Sequence, residues 1–324
     1  MSAVHRILVP TDFSSNAECS VRYALAFAKN TGASIDFIHV LEPLCDRVIY
    51  DIALDEVNAE HVSQLACEVS KRRLDELALR ATAMGIPAKT FLESGSAIDE
   101  IVDVAKKRGS ALIILASHGH SGFDALVFGS TSEKLIRLSP VPVLVIKHPE
   151  YEFVQQGSVD IHLSKVLCPI DFSDFSKRVL PLAVTICRKY NATLILAHVV
   201  EPHIEVTPFL PELSMSQVES QESTVHAHLE KVANGIEDCD VERVVLEGSV
   251  HRELIGLIDA EGIGLVIMAT HGRGGIAHAV FGSTAEKMIR SAPCPVLTLR
   301  PDLIPVDRAK SEVNSTEEVS HFFG

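Results

Sequence analysis

The sequence predicts an α/β fold with two Rossmann-like, doubly wound domains in tandem, each built on a five-stranded parallel sheet. Three observations predict this architecture: the second half of the chain repeats the first, short apolar runs alternate with helical patterns, and aromatic residues are scarce. Aromatics make up only 5% of the 324 residues and Trp is absent, so Val, Ile, Leu and Ala must fill the core. That composition is typical of a parallel sheet covered by helices on both faces.

An internal duplication sets the domain organisation. Residues 6–14, RILVPTDFS, match residues 165–173, KVLCPIDFS, at an offset of 159. Residues 116–147 match residues 269–300 at an offset of 153, and 17 of the 32 positions are identical. We therefore predict a first domain over 1–148, a linker over 149–164, a second domain over 165–300 and a disordered polar tail over 301–324.

Strands and helices alternate in the order expected for βαβ units. In the first copy the apolar runs ILVP, SIDFIHV, AKTFLE, ALIILAS and PVLVI predict five strands. Between them, four helical patterns predict helices over 16–30, about 55–84, 97–108 and 130–138. In such sheets ligands bind outside the carboxyl ends of the strands, at the point where the strand order reverses.

Composition and charge exclude several classes of partner. The net charge is −14 at pH 7, and an acidic surface repels phosphate backbones, so we expect no nucleic-acid partner. No apolar run reaches 18 residues and no signal peptide is evident, so we expect a cytoplasmic protein that does not enter a membrane. The seven widely spaced cysteines include no CxxC pair, which argues against a zinc ribbon or a disulfide framework.

A glycine-rich loop follows the fourth strand of each copy. In the first copy a tight turn at His118-Gly119 precedes Gly129-Ser130-Thr131, which opens a helix. Amides at a helix N-terminus bind anions together with the helix dipole, and glycine lets the backbone approach a phosphate closely. The loop therefore has the features of a phosphate site.

The same loops also allow a purely structural interpretation. The glycines would then only make turns, and the serine that opens each helix would only cap it. Ser130 with Glu133, and Ser283 with Glu286, fit a capping box. Because both copies keep the same spacing, we favour a binding site.

An aspartate follows the first strand of each copy, Asp12 in VPTDFS and Asp171 in CPIDFS. A carboxylate at the same sheet edge as the glycine loop can accept hydrogen bonds from ribose hydroxyls or help to hold Mg²⁺. The alternative role is an N-cap for the following helix, with Ser14 and Ser173 as rival caps. We favour the binding role.

These features resemble the universal stress protein family. Members of that family that bind ATP carry Gly-x2-Gly-x9-Gly-Ser/Thr after the fourth strand and an Asp after the first. This chain has Ala116-x2-Gly119-x9-Gly129-Ser130 and Ala269-x2-Gly272-x9-Gly282-Ser283. The resemblance implies a site in each copy for ATP, or ADP or AMP, with Mg²⁺. Together with the loop pattern it assigns to these sites Pro10, Thr11, Asp12, Val40, Ala116, His118, Gly119, Gly129, Ser130 and Thr131, and Pro169, Ile170, Asp171, Val199, Ala269, His271, Gly272, Arg273, Gly282, Ser283 and Thr284.

The copies depart from the family pattern and from each other. The first glycine of the family motif is alanine in both, which would cost affinity at a positive φ but would be harmless in a strand. After the turn, His120-Ser121 in the first copy becomes Arg273-Gly274 in the second. Because Arg273 can reach a phosphate, we hypothesise tighter binding at the second site.

The sequence offers no catalytic constellation. It contains no Gly-Lys-Ser/Thr motif and no lysine within the glycine loops, so we expect at most weak ATP hydrolysis. His118 with His120, and His226 with His228, lack the ligand pattern of a metal centre, so we predict none formed by side chains alone. The histidines that end the second strand of each copy are expected to pack as repeat-equivalent residues.

The fifth strand is the expected association surface. Residues 141–146 resemble the edge strand through which domains of this family pair. Their pairing with residues 296–300 would make an intramolecular pseudo-dimer, because an exposed apolar edge invites a partner. A homodimer and an unidentified protein partner are further expectations.

The leading functional prediction is a cytoplasmic, ATP-binding universal stress protein that regulates a stress response through nucleotide-dependent interactions. One alternative is an interaction or scaffold protein of the same fold that binds no nucleotide. A second alternative is a slow ATPase. The fold alone does not choose between them.

Overall fold

The computed structural model of the chain describes residues 4–42, 56–116, 130–147, 152–155, 157–201, 223–271, 282–300 and 303. These residues belong to two compact units. The first unit contains the residues up to Lys147 together with Val154–Asp160, and the second contains Phe153 and the residues from Ile161 onward. Within the expected linker, Phe153 and Val154 are buried, so this part of it packs rather than forming a solvated tether.

The first unit is a doubly wound α/β domain. Its elements are β1 (Arg6–Pro10), α1 (Ser15–Thr31), β2 (Ser34–Leu41), α2 (Glu56–Ala83), β3 (Ala88–Ser94), α3 (Ala97–Arg108), β4 (Leu112–Ala116), α4 (Ser130–Leu138) and β5 (Val143–Ile146). The strands pair in parallel in the order β3-β2-β1-β4-β5. The helix bounds differ from the predicted ones by at most one residue, because the apolar periodicity is strong.

The second unit repeats this topology. Its elements are β6 (Lys165–Pro169), α5 (Asp174–Arg178), α6 (Leu180–Tyr190), β7 (Thr193–Val200), a helix α7 over 223–233, β8 (Val241–Glu247), α8 (Val250–Glu261), β9 (Leu265–Ala269), α9 (Ser283–Ser291) and β10 (Val296–Leu299). The strands pair in parallel in the order β10-β9-β6-β7-β8. The predicted fold class is therefore confirmed for both domains, whereas pairing of the two fifth strands stays a prediction.

The helix after the first strand is continuous in the first domain and interrupted in the second. α1 has 17 residues, whereas α5 ends at Arg178 and α6 begins at Leu180. Pro181, at the start of α6, has no N–H to donate to the carbonyl four residues back, so the helix restarts there. The pattern of four helices that the first copy predicts is therefore not kept in the second domain.

The core lies around the inner strands of each sheet. The three central residues of β1 and of β6 are buried, as are four consecutive residues of β4 and all five of β9. The outer strands β3 and β8 are mostly half-exposed. Continuous apolar burial, without the alternation of a one-sided sheet, shows that helices cover both faces of the inner strands.

One buried carboxylate distinguishes the sheet of the first domain. Asp36 on β2 is 1% exposed, and its Oδ2 accepts a hydrogen bond from Arg108 Nε at 2.9 Å. Arg6 Nε lies 3.5 Å from the same oxygen. The hydrogen bond to Asp36 raises the pKa of Arg108, so the guanidinium stays charged beside the acid.

The second domain has a different arrangement at the same place. Ile195, which is fully buried, stands at the position equivalent to Asp36. Glu261 stands at the position equivalent to Arg108 and pairs with Lys165 at 2.6 Å near the surface. Both members of the buried ion pair, Asp36 and Arg108, are therefore replaced in the second domain.

Asp36→Asn should lower the free energy of unfolding of the first domain by about 3 kcal/mol, because two arginines lose a buried counter-charge. Urea denaturation followed by circular dichroism measures the change. The matched control is Glu261→Gln, whose ion pair with Lys165 is about a third exposed and should contribute less than about 1 kcal/mol. Equal losses in the two variants would contradict the special role of the buried acid.

Candidate functional site

The strand order reverses next to the first strand of each domain. β1 pairs with β2 on one side and with β4 on the other, where Ile7 aligns with Leu112. β6 lies in the same way between β7 and β9, with Val166 aligned with Leu265. The carboxyl ends of β1 and β4, and of β6 and β9, therefore flank the place where α/β sheets bind ligands. We call this place the switch point of each domain.

The sheet continues one residue beyond each of these first strands. Pro10 and Pro169 are the last residues of β1 and β6. The Thr11 N–H donates to the Ile38 carbonyl at 2.9 Å, and the Ile170 N–H makes the equivalent bond at 2.8 Å. Thr11 and Ile170 are consequently buried, and the aspartate that follows them is the first residue to leave the sheet.

The turn after β1 is capped by Ser14 rather than by Asp12. Ser14 is the N-cap of α1, and its hydroxyl accepts a hydrogen bond from the Ala17 N–H at 3.1 Å. Asp12 Oδ1 accepts from the Ser14 N–H at 3.0 Å. The rival cap is therefore the actual one, and the turn orients a half-buried carboxylate at the edge of the sheet.

The second domain repeats this turn. Ser173 caps α5 by accepting a hydrogen bond from the Ser176 N–H at 3.2 Å. Asp171 Oδ1 accepts from the Ser173 N–H at 3.0 Å and from its hydroxyl at 2.6 Å. Neither aspartate is the N-cap, so capping does not explain why an acid stands at this position in both copies.

A phenylalanine in the left-handed backbone conformation follows each aspartate. Phe13 and Phe172 both have a φ of 62°, which is unusual for a bulky residue and is a form of strain that clusters at functional sites. The ring centroids of Phe13 and His39 are 4.6 Å apart, and those of Phe172 and His198 are 4.5 Å apart. The two domains therefore hold the same strained turn with the same pair of rings.

The two histidines also fix the backbone next to the aspartate. His39 Nδ1 lies 2.7 Å from the Thr11 carbonyl oxygen, and His198 Nδ1 lies 2.5 Å from the Ile170 carbonyl oxygen. Because a carbonyl only accepts, Nδ1 carries the proton and donates in each case. Sequence reasoning assigned these histidines to packing and missed their contact with the turn. The available signal was the recurrence of both the histidine and the Asp-Phe pair at an offset of 159.

The alanines that replace the first motif glycine lie in strand conformation. Ala116 and Ala269 end β4 and β9 and pair with Ile146 and Leu299. Neither is among the described residues with a positive φ. The methyl group therefore causes no backbone strain at this position.

Gly282 brings the start of α9 against the end of β9. Its N–H donates to the Thr270 carbonyl at 2.8 Å, and it is the N-cap of the helix. A Cβ at Gly282 would lie 3.0 Å from that carbonyl oxygen, which is tighter than most Cβ contacts, so the close approach favours glycine. The N-terminus of α9 is therefore held at the switch point of the second domain.

The capping-box prediction is wrong for the second domain. Ser283 is the first helical residue rather than the N-cap, and no side chain makes a cap hydrogen bond at Gly282. Glu286 instead accepts a hydrogen bond from Arg290 Nε at 3.0 Å. Ser283 is exposed and Thr284 is half-exposed in the first turn.

The first domain begins its helix at the equivalent residue. Ser130 is the first residue of α4 and is followed by Thr131, which is exposed. The Ser132 hydroxyl donates to the Ala116 carbonyl at 3.3 Å, which ties the start of α4 to the end of β4. The helix start is therefore at the switch point in this domain as well.

Of the remaining predicted site residues, three are described by the structure and five are not. Val40 and Val199 lie near the carboxyl ends of β2 and β7, beside β1 and β6. His271 follows β9, with its Nδ1 2.9 Å from the Thr270 hydroxyl. The predicted residues outside the described ones are His118, Gly119, Gly129, Gly272 and Arg273, and the predicted disordered tail, apart from Leu303, also lies outside them.

The described residues form neither a metal cluster nor a membrane-spanning helix. Within the described ranges, no group of three or more His, Cys, Asp or Glu side chains is arranged to hold a metal ion. His226 and His228 are both exposed on α7. None of the helices that the structure describes is long and apolar enough to cross a membrane.

Known proteins resemble this chain over almost its whole length. The universal stress protein family matches residues 3–147 and 162–300. A universal stress protein of Mycolicibacterium smegmatis is 27% identical over an alignment of 305 residues that covers 91% of this chain and 97% of that protein. Another, from Methanocaldococcus jannaschii, is 29% identical over an alignment of 159 residues that covers 45% of this chain and 98% of that protein. The crystal structure of a universal stress protein from Archaeoglobus fulgidus superimposes with a TM-score of 0.66 at 24% identity, covering 92% of this chain and 99% of that one.

The fold defines a tandem protein of two doubly wound α/β domains, each with an aspartate and a helix N-terminus at its switch point. The family match extends over both domains. The chain therefore belongs to the universal stress protein family, and the resemblance seen in its motifs is confirmed.

Gly282→Ala should lower the free energy of unfolding by about 1–2 kcal/mol, because the new Cβ would press on the Thr270 carbonyl. Gly256→Ala is the matched control. It lies within α8 with open space around its Cβ, and should raise the free energy of unfolding by up to about 1 kcal/mol. Thermal denaturation of both variants provides the measurement, and stabilisation in both would refute the close approach of Gly282 to β9.

Proposed function

We propose that this universal stress protein binds ATP, ADP or AMP with Mg²⁺ at the switch point of each domain. We further propose that it regulates a stress response in the cytoplasm through nucleotide-dependent interactions. One observation carries the proposal: in the second domain, the N-terminus of α9 and the Asp171 carboxylate lie at the carboxyl ends of two neighbouring strands, β9 and β6. Such a pairing of donors and an acid suits a phosphate and a ribose or cation.

The start of α9 offers hydrogen-bond donors to a phosphate. The first amides of a helix have no carbonyl partner within it, and the helix dipole favours an anion there. The exposure of Ser283 and the partial exposure of Thr284 leave their hydroxyls accessible to the same group. Gly282 carries no side chain that would occupy the helix end.

The aspartates suit the ribose or the cation. Asp171 is half-exposed and is oriented by Ser173, and Asp12 has the same place in the first domain. Mg²⁺ prefers carboxylate and phosphate oxygens, so either aspartate can share it with a nucleotide. A bound Mg²⁺ would neutralise phosphate charge, which a chain of net charge −14 repels.

A second candidate function is an interaction protein of the same fold that binds no nucleotide. It is favoured by the local roles that the conspicuous residues already have. Gly282 closes a turn on Thr270, and Ser14 and Ser173 cap their helices. Nucleotide content separates the two functions.

Protein purified without added nucleotide should release roughly one or two molecules of ATP or ADP per chain on denaturation, one for each occupied switch point. Chromatography and mass spectrometry identify and count what is released. Gly282→Asp puts a carboxylate at the phosphate-facing helix end and should lower Mg-ATP affinity more than about tenfold in the second domain. Gly129→Asp makes the same test in the first.

The matched control for this experiment is Gly256→Asp, which adds the same charge at an exposed position of α8. It should leave the nucleotide content unchanged. An empty wild-type protein that also fails to bind Mg-ATP in titration would refute nucleotide binding and favour the interaction protein.

Asp171→Asn should weaken Mg-ATP binding about tenfold without unfolding the turn, because the amide oxygen can still accept from Ser173 while the charge is lost. Isothermal titration of the variant measures the affinity. Asp174→Asn removes the same charge three residues away, at an exposed position in the first turn of α5. Equal weakening by both substitutions would indicate a general effect of charge rather than a ligand contact.

A further inference from the structure

Two thiols are in contact in the second domain, away from the proposed nucleotide site. Cys187 is buried in the last turn of α6, and Cys239 is partly exposed in the turn before β8. Their side chains are hydrogen-bonded to each other. A disulfide needs two cysteines that lie close together in the fold. Hydrogen bonds from Arg188 Nη2 to the Glu237 carbonyl and from the Leu194 N–H to the Asp240 carbonyl hold the end of α6 and the turn before β8 against each other.

The fold does not require sulfur at either position. The offsets of 159 and 153 place Ala28 and Ile86 of the first domain at the positions equivalent to Cys187 and Cys239. Ala28 and Ile86 are both buried. Apolar residues therefore meet the packing requirement there, and only the second of the two described domains has a thiol at each position.

The backbone around Cys239 presents its sulfur at the surface. Asp238, the preceding residue, has a φ of 52°, and the Cys239 Sγ lies 3.6 Å from the Asp240 carbonyl oxygen. Arg188 Nη2 donates to the Glu237 carbonyl at 2.5 Å, which brings a guanidinium to this turn. A partly exposed cysteine beside a cation is the environment in which thiols react.

The two sulfurs differ in their acidity. The hydrogen bond from Cys187 and the charge of Arg188 lower the pKa of Cys239, and they outweigh partial burial and the nearby Asp240. The same hydrogen bond, together with burial, raises the pKa of Cys187. Cys239, which is partly exposed, is therefore the more acidic of the two thiols, and the buried Cys187 donates to it.

We propose that Cys239 and Cys187 form a site of reversible oxidation, at which a hydroperoxide converts the two thiols to a disulfide. The Cys239 thiolate attacks one peroxide oxygen, the O–O bond breaks, and the second oxygen takes up a proton and leaves as an alcohol or as water. Cys239 is then a sulfenic acid.

The buried partner completes the reaction. The Cys187 sulfur attacks the sulfenic sulfur, the S–O bond breaks, and the hydroxide leaves as water with the Cys187 proton. Two thiols are thereby oxidised by two electrons while one hydroperoxide is reduced, and a dithiol reverses the step by exchange. Burial raises the pKa of the neighbouring Cys168 to about 12, so that residue remains a thiol.

The pair lies at the sheet edge opposite the proposed nucleotide site. α6 leads into the start of β7, and Cys239 precedes the start of β8, so both sulfurs are at the amino ends of the strands. The Leu194 N–H donates to the Asp240 carbonyl at 2.8 Å, which holds this turn on the sheet. Oxidation of this thiol pair therefore does not depend on nucleotide binding, and either property can be absent without the other.

Peptide mapping of the full-length protein tests the proposal. The chain is treated with hydrogen peroxide, remaining thiols are blocked with N-ethylmaleimide, and unreduced digests are analysed by mass spectrometry. We expect a peptide pair joined through Cys187 and Cys239, which dithiothreitol separates. Cys67→Ser is the control, because Cys67 is exposed on α2, and it should leave the cross-link unchanged.

Two variants separate the steps. Cys187→Ala introduces the residue that the first domain has at the equivalent position, so the fold should tolerate it. Without the resolving thiol, trapping of sulfenic acid at Cys239 by dimedone should rise about tenfold. Cys239→Ser should abolish both the cross-link and the trapping, and circular dichroism checks that both variants are folded.

The pH dependence of alkylation gives an independent readout. Because the pKa of Cys239 is lowered, its reaction with iodoacetamide should reach half of its maximum rate below the value of about 8.5 typical of a free thiol. Oxidation confined to Cys67, a cross-link that omits Cys187, or a half-maximum at or above the free-thiol value would each overturn the proposal.

Discussion

Parallel pairing of the first strand with the fourth determines where every other feature of each domain lies. Parallel neighbours need a crossover, so a helix follows each strand and all carboxyl ends meet at one edge. β2 and β3 lie on one side of β1, and β4 and β5 on the other. The chain segments that follow β1 and β4 therefore diverge and leave a crevice. Asp12 and the start of α4 are far apart in sequence but border that crevice together.

The turn that carries the aspartate is strained, and each domain stabilises it in its own way. In the first domain the Phe13 N–H donates to the Thr11 hydroxyl at 3.0 Å, which supports the left-handed residue directly. Ile170 replaces Thr11 in the second domain and has no hydroxyl. There a second ring, His228, lies 5.6 Å from Phe172 in addition to His198. Both domains keep this costly conformation although different contacts support it. We infer that the conformation of the turn itself is required at this place.

Periodicity predicted the elements well because it reports burial, and burial is set by the whole sheet. The position of a cap depends instead on the φ and ψ of one residue, so Ser283 looked like an N-cap although Gly282 occupies that place. The interruption at Pro181 was readable from the sequence, but only by applying the restriction on proline to a helix already assigned. The positive φ of Phe13 and Phe172 had no propensity signal, since it is imposed by neighbouring contacts.

The two copies differ most where the fold leaves them free to differ. At the carboxyl edge both keep the aspartate, the histidine that fixes its turn, and the Gly-Ser-Thr that opens the last helix. Elsewhere, a buried acid with its arginine in one copy corresponds to an isoleucine and a surface ion pair in the other. Two apolar residues of the first copy correspond to two touching thiols of the second. Packing tolerates both differences because, in each case, the residues that contact one another differ together between the two copies. The domains thus share the same groups at the carboxyl edge, while the opposite edge of the second has a pair of cysteines that the first lacks at the equivalent positions.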